Sequence, residues 1–253
     1  MAVEHFSSDG VDIAFLASGE GDPILLIHGF ASNHVVNWGA TGWIDTLKRA
    51  GRRIIAMDVR GHGKSAKLRD PASYSLALMA ADAIRLLDHL GIPRADVMGY
   101  SMGARITVAL ALAHQGRMRS IVLGGMGYAM VAGMGGEDEI VAALEAPSLE
   151  AVRPGPGLAY RKFAEQTGSD MLALAACLRK ARQTFTPEQL ATIHVPTLIA
   201  IGDKDGVAGS AEGLAALIPG AEVFVIPNRD HMLATGDKHY KAAVLEFLER
   251  LPP

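Results

Sequence analysis

Cysteine is almost missing from this chain. Cys177 is the one thiol in 253 residues, so no intrachain disulfide can form and nothing asks for an oxidising compartment. Set in an apolar stretch, it is expected to be a small buried residue of a helix. Basic tracts are missing too. With 24 Lys and Arg against 27 Asp and Glu, the formal charge is −3, which removes the electrostatic reason to expect nucleic acid or an anionic membrane as partner. No apolar run approaches the ~18 residues of a bilayer-crossing helix. The amino-terminal residues, with Glu4 and Asp9 among them, lack the basic-then-apolar order of a secretory leader, and a cytoplasmic protein is the expectation. There is no H-E-x-x-H string and no cluster of Cys and His, so no metal site is expected. These absences leave a small neutral substrate, or none, as the expectation.

What is present is the makeup of an ordinary globular protein, with 49% hydrophobic and 20% charged residues and enough length for a sizeable core. Residues 3–7 and 11–18 are patterned as short strands around Asp9-Gly10, a dipeptide that turns hairpins. Residues 23–27, Pro-Ile-Leu-Leu-Ile, form a continuous apolar run, as in a strand covered on both faces. From there, strands at 53–58, 95–99, 120–123, 197–201 and 222–226 alternate with helical patterns at 43–50, 76–90, 104–114, 211–218 and 238–251. That order predicts an α/β fold, a mostly parallel central sheet of about eight strands with helices on both faces. The alternation is interrupted once. Residues 124–136 (GGMGYAMVAGMGG) are too glycine-rich for a regular element, and helical patches at 137–145, 158–166 and 171–183 follow, separated by Pro147 and by Pro154-Gly155-Pro156-Gly157. Residues 124–186 are expected to be a small helical insertion in a core domain made of 1–123 and 187–253.

The stretch Gly99-Tyr100-Ser101-Met102-Gly103 joins a strand pattern to a helix pattern. Glycines two residues either side of the serine let the backbone fold back and lift one hydroxyl clear of the sheet, as in a nucleophile elbow. A hydroxyl needs a base to take its proton, and the base needs a carboxylate to orient it. Later strand ends offer both. Asp203 and Asp205 follow the strand at 197–201, and His231, with Asp230 beside it, follows the strand at 222–226. The carboxyl ends of parallel strands gather along one edge, where ligands bind, and the chain order Ser, Asp, His suits groups delivered from that edge. A competing motif, Gly63-Lys64-Ser65, mimics the end of a phosphate-binding loop. Such a loop needs a glycine five residues before Gly63, where the anion Asp58 stands.

Together these pieces resemble the α/β-hydrolase superfamily over nearly the whole chain. The resemblance rests on His28-Gly29-Phe30, Asp58-Val59-Arg60-Gly61-His62-Gly63-Lys64-Ser65, the elbow at Ser101, Gly202 to Asp205, and His231, in that order. It implies Ser101 as nucleophile and His231 as base. Because the family's acid stands three residues after the glycine, it also implies Asp205 rather than Asp203 as the acid. Its positions for the oxyanion-binding N–H groups fall on Phe30 and Met102. It casts His28 and His62 as residues that shape loops, and Asp58, by its place at a strand end, is expected to organise the loop that follows. Gly206 and Asp230 stand where many members carry a proline and a glycine. The insertion becomes a lid. Its Met126, Tyr128, Met130 and Met134 have two readings: a flexible connector, or adaptable walls of an acyl pocket beside Tyr100.

The implied activity is that of a cofactor-independent serine hydrolase. Its substrate would be a small, mainly apolar carboxylic ester, thioester or lactone, cleaved through an acyl-enzyme. A short lid with few aromatics points away from a deep long-chain tunnel. Perhydrolysis of the haloperoxidase kind, carbon–carbon bond hydrolysis and acyl transfer run on the same triad. A serine argues against haloalkane dehalogenase and epoxide hydrolase, whose usual nucleophile is an aspartate. From another class, a non-catalytic small-molecule-binding protein could use the same scaffold.

Overall fold

The computed structural model describes residues 2–251. The chain opens with two antiparallel strands, β1 (Glu4–Ser8) and β2 (Val11–Ser18), joined at Asp9 and Gly10, which sit at φ 51° and 82°. A two-residue turn of this kind needs positive φ at both positions, which Asp-Gly tolerates. Strands and helices then alternate: β3 (Asp22–Ile27), α1 (Trp43–Arg49), β4 (Arg52–Met57), α2 (Leu76–His89), β5 (Ala95–Tyr100), α3 (Met102–His114) and β6 (Met118–Gly124). Between β6 and the next strand lie α4 (Ala129–Ala132), α5 (Glu137–Glu145), α6 (Pro156–Gln166), α7 (Met171–Ala181) and α8 (Pro187–Leu190). The chain closes with β7 (Thr197–Gly202), α9 (Ala211–Ala215), β8 (Glu222–Ile226) and α10 (Lys238–Glu249).

In space the sheet runs β1-β2-β4-β3-β5-β6-β7-β8, antiparallel at β1–β2 and β2–β4 and parallel elsewhere. The apolar run of β3 is central, and Ile24, Leu25, Leu26 and Ile27 are fully buried. Successive side chains of a strand leave opposite faces. Leu25 and Ile27 therefore join Ile55, Val97 and Ile121 beneath α2 and α3, while Ile24 and Leu26 join Ile54, Met98 and Val122 beneath α1 and α10. Helices α5, α6 and α7 share a smaller apolar cluster of their own, built on Ile140, Leu144, Ala164 and Leu174.

The glycine-rich segment at 124–136 departs from the sequence-based expectation: it holds the short helix α4. Its N–H groups at 127–129 bond back to the carbonyls of Ala208 and Ser210, so tertiary contacts supply the order that local propensity denies it. Helix α8 is too short for periodicity to reveal, yet Thr186 and Gln189 cap it reciprocally. Helix α7 stops at Ala181, and Cys177 lies buried within it, its thiol pushed by burial up to about 12 and so kept protonated. No helix among the described residues is long and apolar enough to cross a membrane.

The loop after β4 is tied down by Asp58. Its buried carboxylate accepts the backbone N–H groups of His34 (2.7 Å) and Lys64 (2.8 Å) and the Nδ1–H of His34 (2.8 Å). Burial works against its charge, but these donors and the neighbouring imidazoles outweigh it and bring its pKa from 3.8 to about 2. A carboxyl lowered in the fold stabilises it above the unfolded value and loses that contribution as pH falls through the folded value. Asp58→Asn is expected to cost about 2 kcal/mol in urea unfolding near neutral pH. The gap to wild type should close as pH falls from about 4 to about 2. A gap unchanged at the acid end would contradict this account.

Candidate active site

Strand β5 delivers Ser101 at its carboxyl end and α3 departs from it at once. The serine sits at φ 53°, ψ −112°, a conformation rare for a residue with a side chain and one that stores strain. Its N–H is held by the carbonyl of Gly124 at 2.8 Å. The turn is tight enough to forbid side chains around it: a Cβ on Gly99 would lie 2.2 Å from the carbonyl oxygen of Gly103, and one on Gly103 would lie 1.9 Å from that of Ile27.

Two loops from neighbouring strand ends meet the hydroxyl. His231 Nε2 lies 3.0 Å from Ser101 Oγ, and His231 Nδ1 lies 2.8 Å from Asp205 Oδ2. The other oxygen of Asp205 accepts the N–H groups of Val207 (2.8 Å) and Ala208 (3.0 Å), which fixes the carboxylate edge that faces the imidazole. Burial raises the cost of its charge, but the His231 hydrogen bond, the imidazole's charge and the two N–H groups win, and Asp205 stays below the usual carboxylate range. The competing acids are engaged elsewhere. Asp203 accepts the N–H of Arg229 at 3.2 Å, and Asp230 accepts those of Met232 and Leu233 at 3.0 and 2.8 Å. Tyr100, beside the serine, donates its hydroxyl hydrogen to the carbonyl of His231 at 2.5 Å, and its ring lies against the imidazole.

The N–H groups of Phe30 and Met102 face no acceptor among the described residues. Met102 opens α3, where a helix has no internal acceptor to offer. The Phe30 peptide is set from behind: the Gly29 N–H donates to Asn37 Oδ1 at 2.9 Å. His28 Nε2 accepts the Val59 N–H at 3.0 Å, which leaves the proton on Nδ1 to donate to the Gly29 carbonyl at 2.7 Å. Burial lowers the pKa of His28, and takes that of His62 down to about 3. His62 packs edge-on to Phe30 at 5.7 Å. Both imidazoles are therefore neutral supports of the loop, beside the ionised Asp58.

A cavity of about 420 Å³ opens above the serine, within the range for small-molecule sites. Its walls are mainly apolar, with Phe30, Val36, Tyr100, Val207 and Met232 from the core and Ala159, Tyr160 and Phe163 from α6; its polar corner is Asn37, Thr41 and Thr235. A second space of about 20 Å³ adjoins Ser101, Met102 and Phe30 and reaches Arg105, Met134 and Arg182. Of the expected pocket side chains, Tyr100 and Met134 do line these spaces. Met126 and Met130 do not. They are fully buried in the main core, and Tyr128 lies outside, 42% exposed. The same backbone bonds that fold 127–129 onto the loop after β7 turn those side chains away from the site. Sequence reasoning missed Tyr160 and Phe163, whose i, i+3 spacing signals only a helix face, and Asn37. Arg105, a charge inside an apolar helix, did carry a visible signal. Among the described residues no group of three or more His, Cys, Asp or Glu could hold a metal ion. Chemically, the arrangement can move a proton from Oγ to Nε2 and present two N–H groups to a developing anion.

Residues 22–144 match a family model described as the alpha/beta hydrolase fold. Among curated proteins the chain is similar to 2-hydroxymuconate semialdehyde hydrolase of Pseudomonas putida, with 42% identity over 107 residues. That match covers 42% of this chain and 37% of the relative, little more than a third of its length. A non-heme chloroperoxidase of Kitasatospora aureofaciens is 29% identical over 280 aligned positions, covering 96% of this chain and 98% of the relative. Among solved structures, a hydrolase from Pseudomonas aeruginosa is similar with a TM-score of 0.82 at 26% identity, covering 97% of this chain and 98% of that one.

Proposed function

From a chain that belongs to the α/β-hydrolase superfamily, we propose a cofactor-independent serine hydrolase that cleaves a small carboxylic ester, thioester or lactone through an acyl-enzyme. The observation that carries the reading is the continuous line from Ser101 Oγ through His231 to Asp205, at 3.0 and 2.8 Å. Ser101 attacks the substrate carbonyl carbon while His231 Nε2 takes its proton. Asp205 holds the Nδ1–H tautomer and stabilises the imidazolium, without itself taking the proton. The carbonyl oxygen, now carrying charge, swings towards the N–H groups of Phe30 and Met102. Losing one such donor typically costs ~3 kcal/mol of transition-state stabilisation. His231 then returns the proton to the leaving group, and a water activated by the same imidazole releases the acid.

Residues 124–186 serve as the lid, since α6 within them contributes Tyr160 and Phe163 to the cavity wall. A volume near 420 Å³ with aromatic walls suits a compact apolar group rather than a long chain. The full-length similarity to a chloroperoxidase favours a second acceptor for the same acyl-serine, hydrogen peroxide in place of water. The test is hydrolysis of short p-nitrophenyl esters together with labelling by a fluorophosphonate, with peroxide added as a competing acceptor. Turnover and a label on Ser101 are expected. A wild-type protein that neither turns over esters nor labels at Ser101 overturns the reading, and peracid formation in place of acid selects the peroxide branch.

A further inference from the structure

Ser101 borders two spaces that differ in chemistry. The larger contains His231, and a leaving group must lie where His231 can hand it a proton, so that space is the leaving-group side. The smaller touches Ser101 and Met102 but not His231, and it is bounded by Arg105, Arg182 and Met134. It faces whatever remains on the serine once the leaving group has gone.

Two arginines are an unusual lining for an acyl pocket. Arg105 lies on α3, one turn beyond Ser101, and is 2% exposed. Its hydrogen bonds go to the carbonyl oxygens of Ala129 and Gln183, not to a carboxylate, and its Nε has no acceptor among the described residues. Burial, and after it the like charge of Arg182, bring its pKa down to about 10, which leaves it charged at neutral pH. Arg182 donates to the carbonyl of Gly135 at 2.7 Å and reaches the carboxylate of Glu137 at 3.8 Å. The cluster therefore holds two cations against one distant anion. Buried charges are costly unless paired, and planar guanidinium groups match carboxylates well.

We propose that the acyl side of the site binds a short acyl group ending in a carboxylate, with Arg105 and Arg182 as its anion-binding pair. The proposal rests on the serine-hydrolase reading and narrows its substrates to half-esters of short dicarboxylic acids. The about 20 Å³ beside Arg105 is room for one water-sized group, so the chain is short, and Met134, an unbranched side chain on the wall, gives way to it. In the reaction, Ser101 Oγ bonds the ester carbonyl carbon and the C–O bond to the alcohol breaks. The alcohol leaves with the proton from His231, and water then cleaves the acyl-serine to release the free diacid.

The test compares monobenzyl malonate and monobenzyl succinate with neutral benzyl esters of matching shape, in which an isopropyl group replaces the carboxylate. The wild type is expected to prefer at least one half-ester by tenfold or more in kcat/KM, mainly through KM. Arg105→Gln and Arg182→Gln should each cut that ratio by tenfold or more, and Arg182→Lys should retain part of it. The ratio cancels general damage to the enzyme, and Arg182, at the edge of the site, keeps the test usable if Arg105→Gln fails to fold. Turnover of the neutral esters with no preference for either half-ester, or a preference that Arg182→Gln leaves intact, overturns this inference alone. A wild type inert towards every ester and unlabelled at Ser101 overturns the hydrolase reading, and this inference with it.

Discussion

Ser101→Ala is expected to abolish ester turnover and fluorophosphonate labelling while leaving the melting temperature close to that of the wild type. The hydroxyl is the one nucleophile held at 3.0 Å from His231 Nε2, and removing a member of such a set typically costs about 10⁴ to 10⁶ in kcat. Stability responds little because the strain of the turn, φ 53° at this position, is the same for serine and alanine. The cost is one hydrogen bond to a partly exposed imidazole, about 1 kcal/mol. Folding is reported by circular dichroism and thermal unfolding, and activity by p-nitrophenol release. A variant that retains a tenth of the wild-type rate would mean that His231 activates water directly and that no acyl-serine forms.

Gly103→Ala is expected to be the most damaging single methyl in the chain. Its Cβ would lie 1.9 Å from the carbonyl oxygen of Ile27 and 2.8 Å from that of His28, both backbone atoms that no rotamer change can move. Helix α3 would have to lift from β3, opening the centre of the core and pulling the Met102 N–H out of place. A loss of more than about 4 kcal/mol follows from overpacking of this severity, a fall of roughly 10 °C or more in Tm for a domain of this size. Gly116→Ala is the control, since an added Cβ there meets nothing within 4 Å. It should unfold within a degree or two of the wild type. Equal behaviour of the two variants would contradict the packing described for the elbow.

The two glycines also explain why the elbow was legible from sequence. A turn this sharp has local steric requirements, and local requirements write themselves into residue type. The same holds for β3, whose unbroken apolar run reports burial on both faces, and for the Asp9-Gly10 hairpin. The acid beside His231 was less legible. Asp203, Asp205 and Asp230 all fall near the right strand ends, and only the bonding of Val207 and Ala208 to Asp205, against the separate engagements of the other two, selects among them. The misjudged residues, Met126, Tyr128 and Met130, share one cause. Their segment folds against the loop after β7, a contact with residues some eighty positions away that no periodicity encodes.

By itself, then, the sequence determined the alternating sheet, the place and geometry of the serine, and the residue types available to act on it. Each of these follows from backbone sterics or from the period of burial along one element. Only the tertiary structure decided which face of α6 roofs the serine, how Asn37 sets the Phe30 peptide, and that Arg105 on α3 and Arg182, just past the end of α7, line one space, with Glu137 3.8 Å from Arg182. Periodicity states that a face is covered; it does not say by what. The chemistry of the space above Ser101 is made by side chains from separate elements, and their meeting is a property of packing alone.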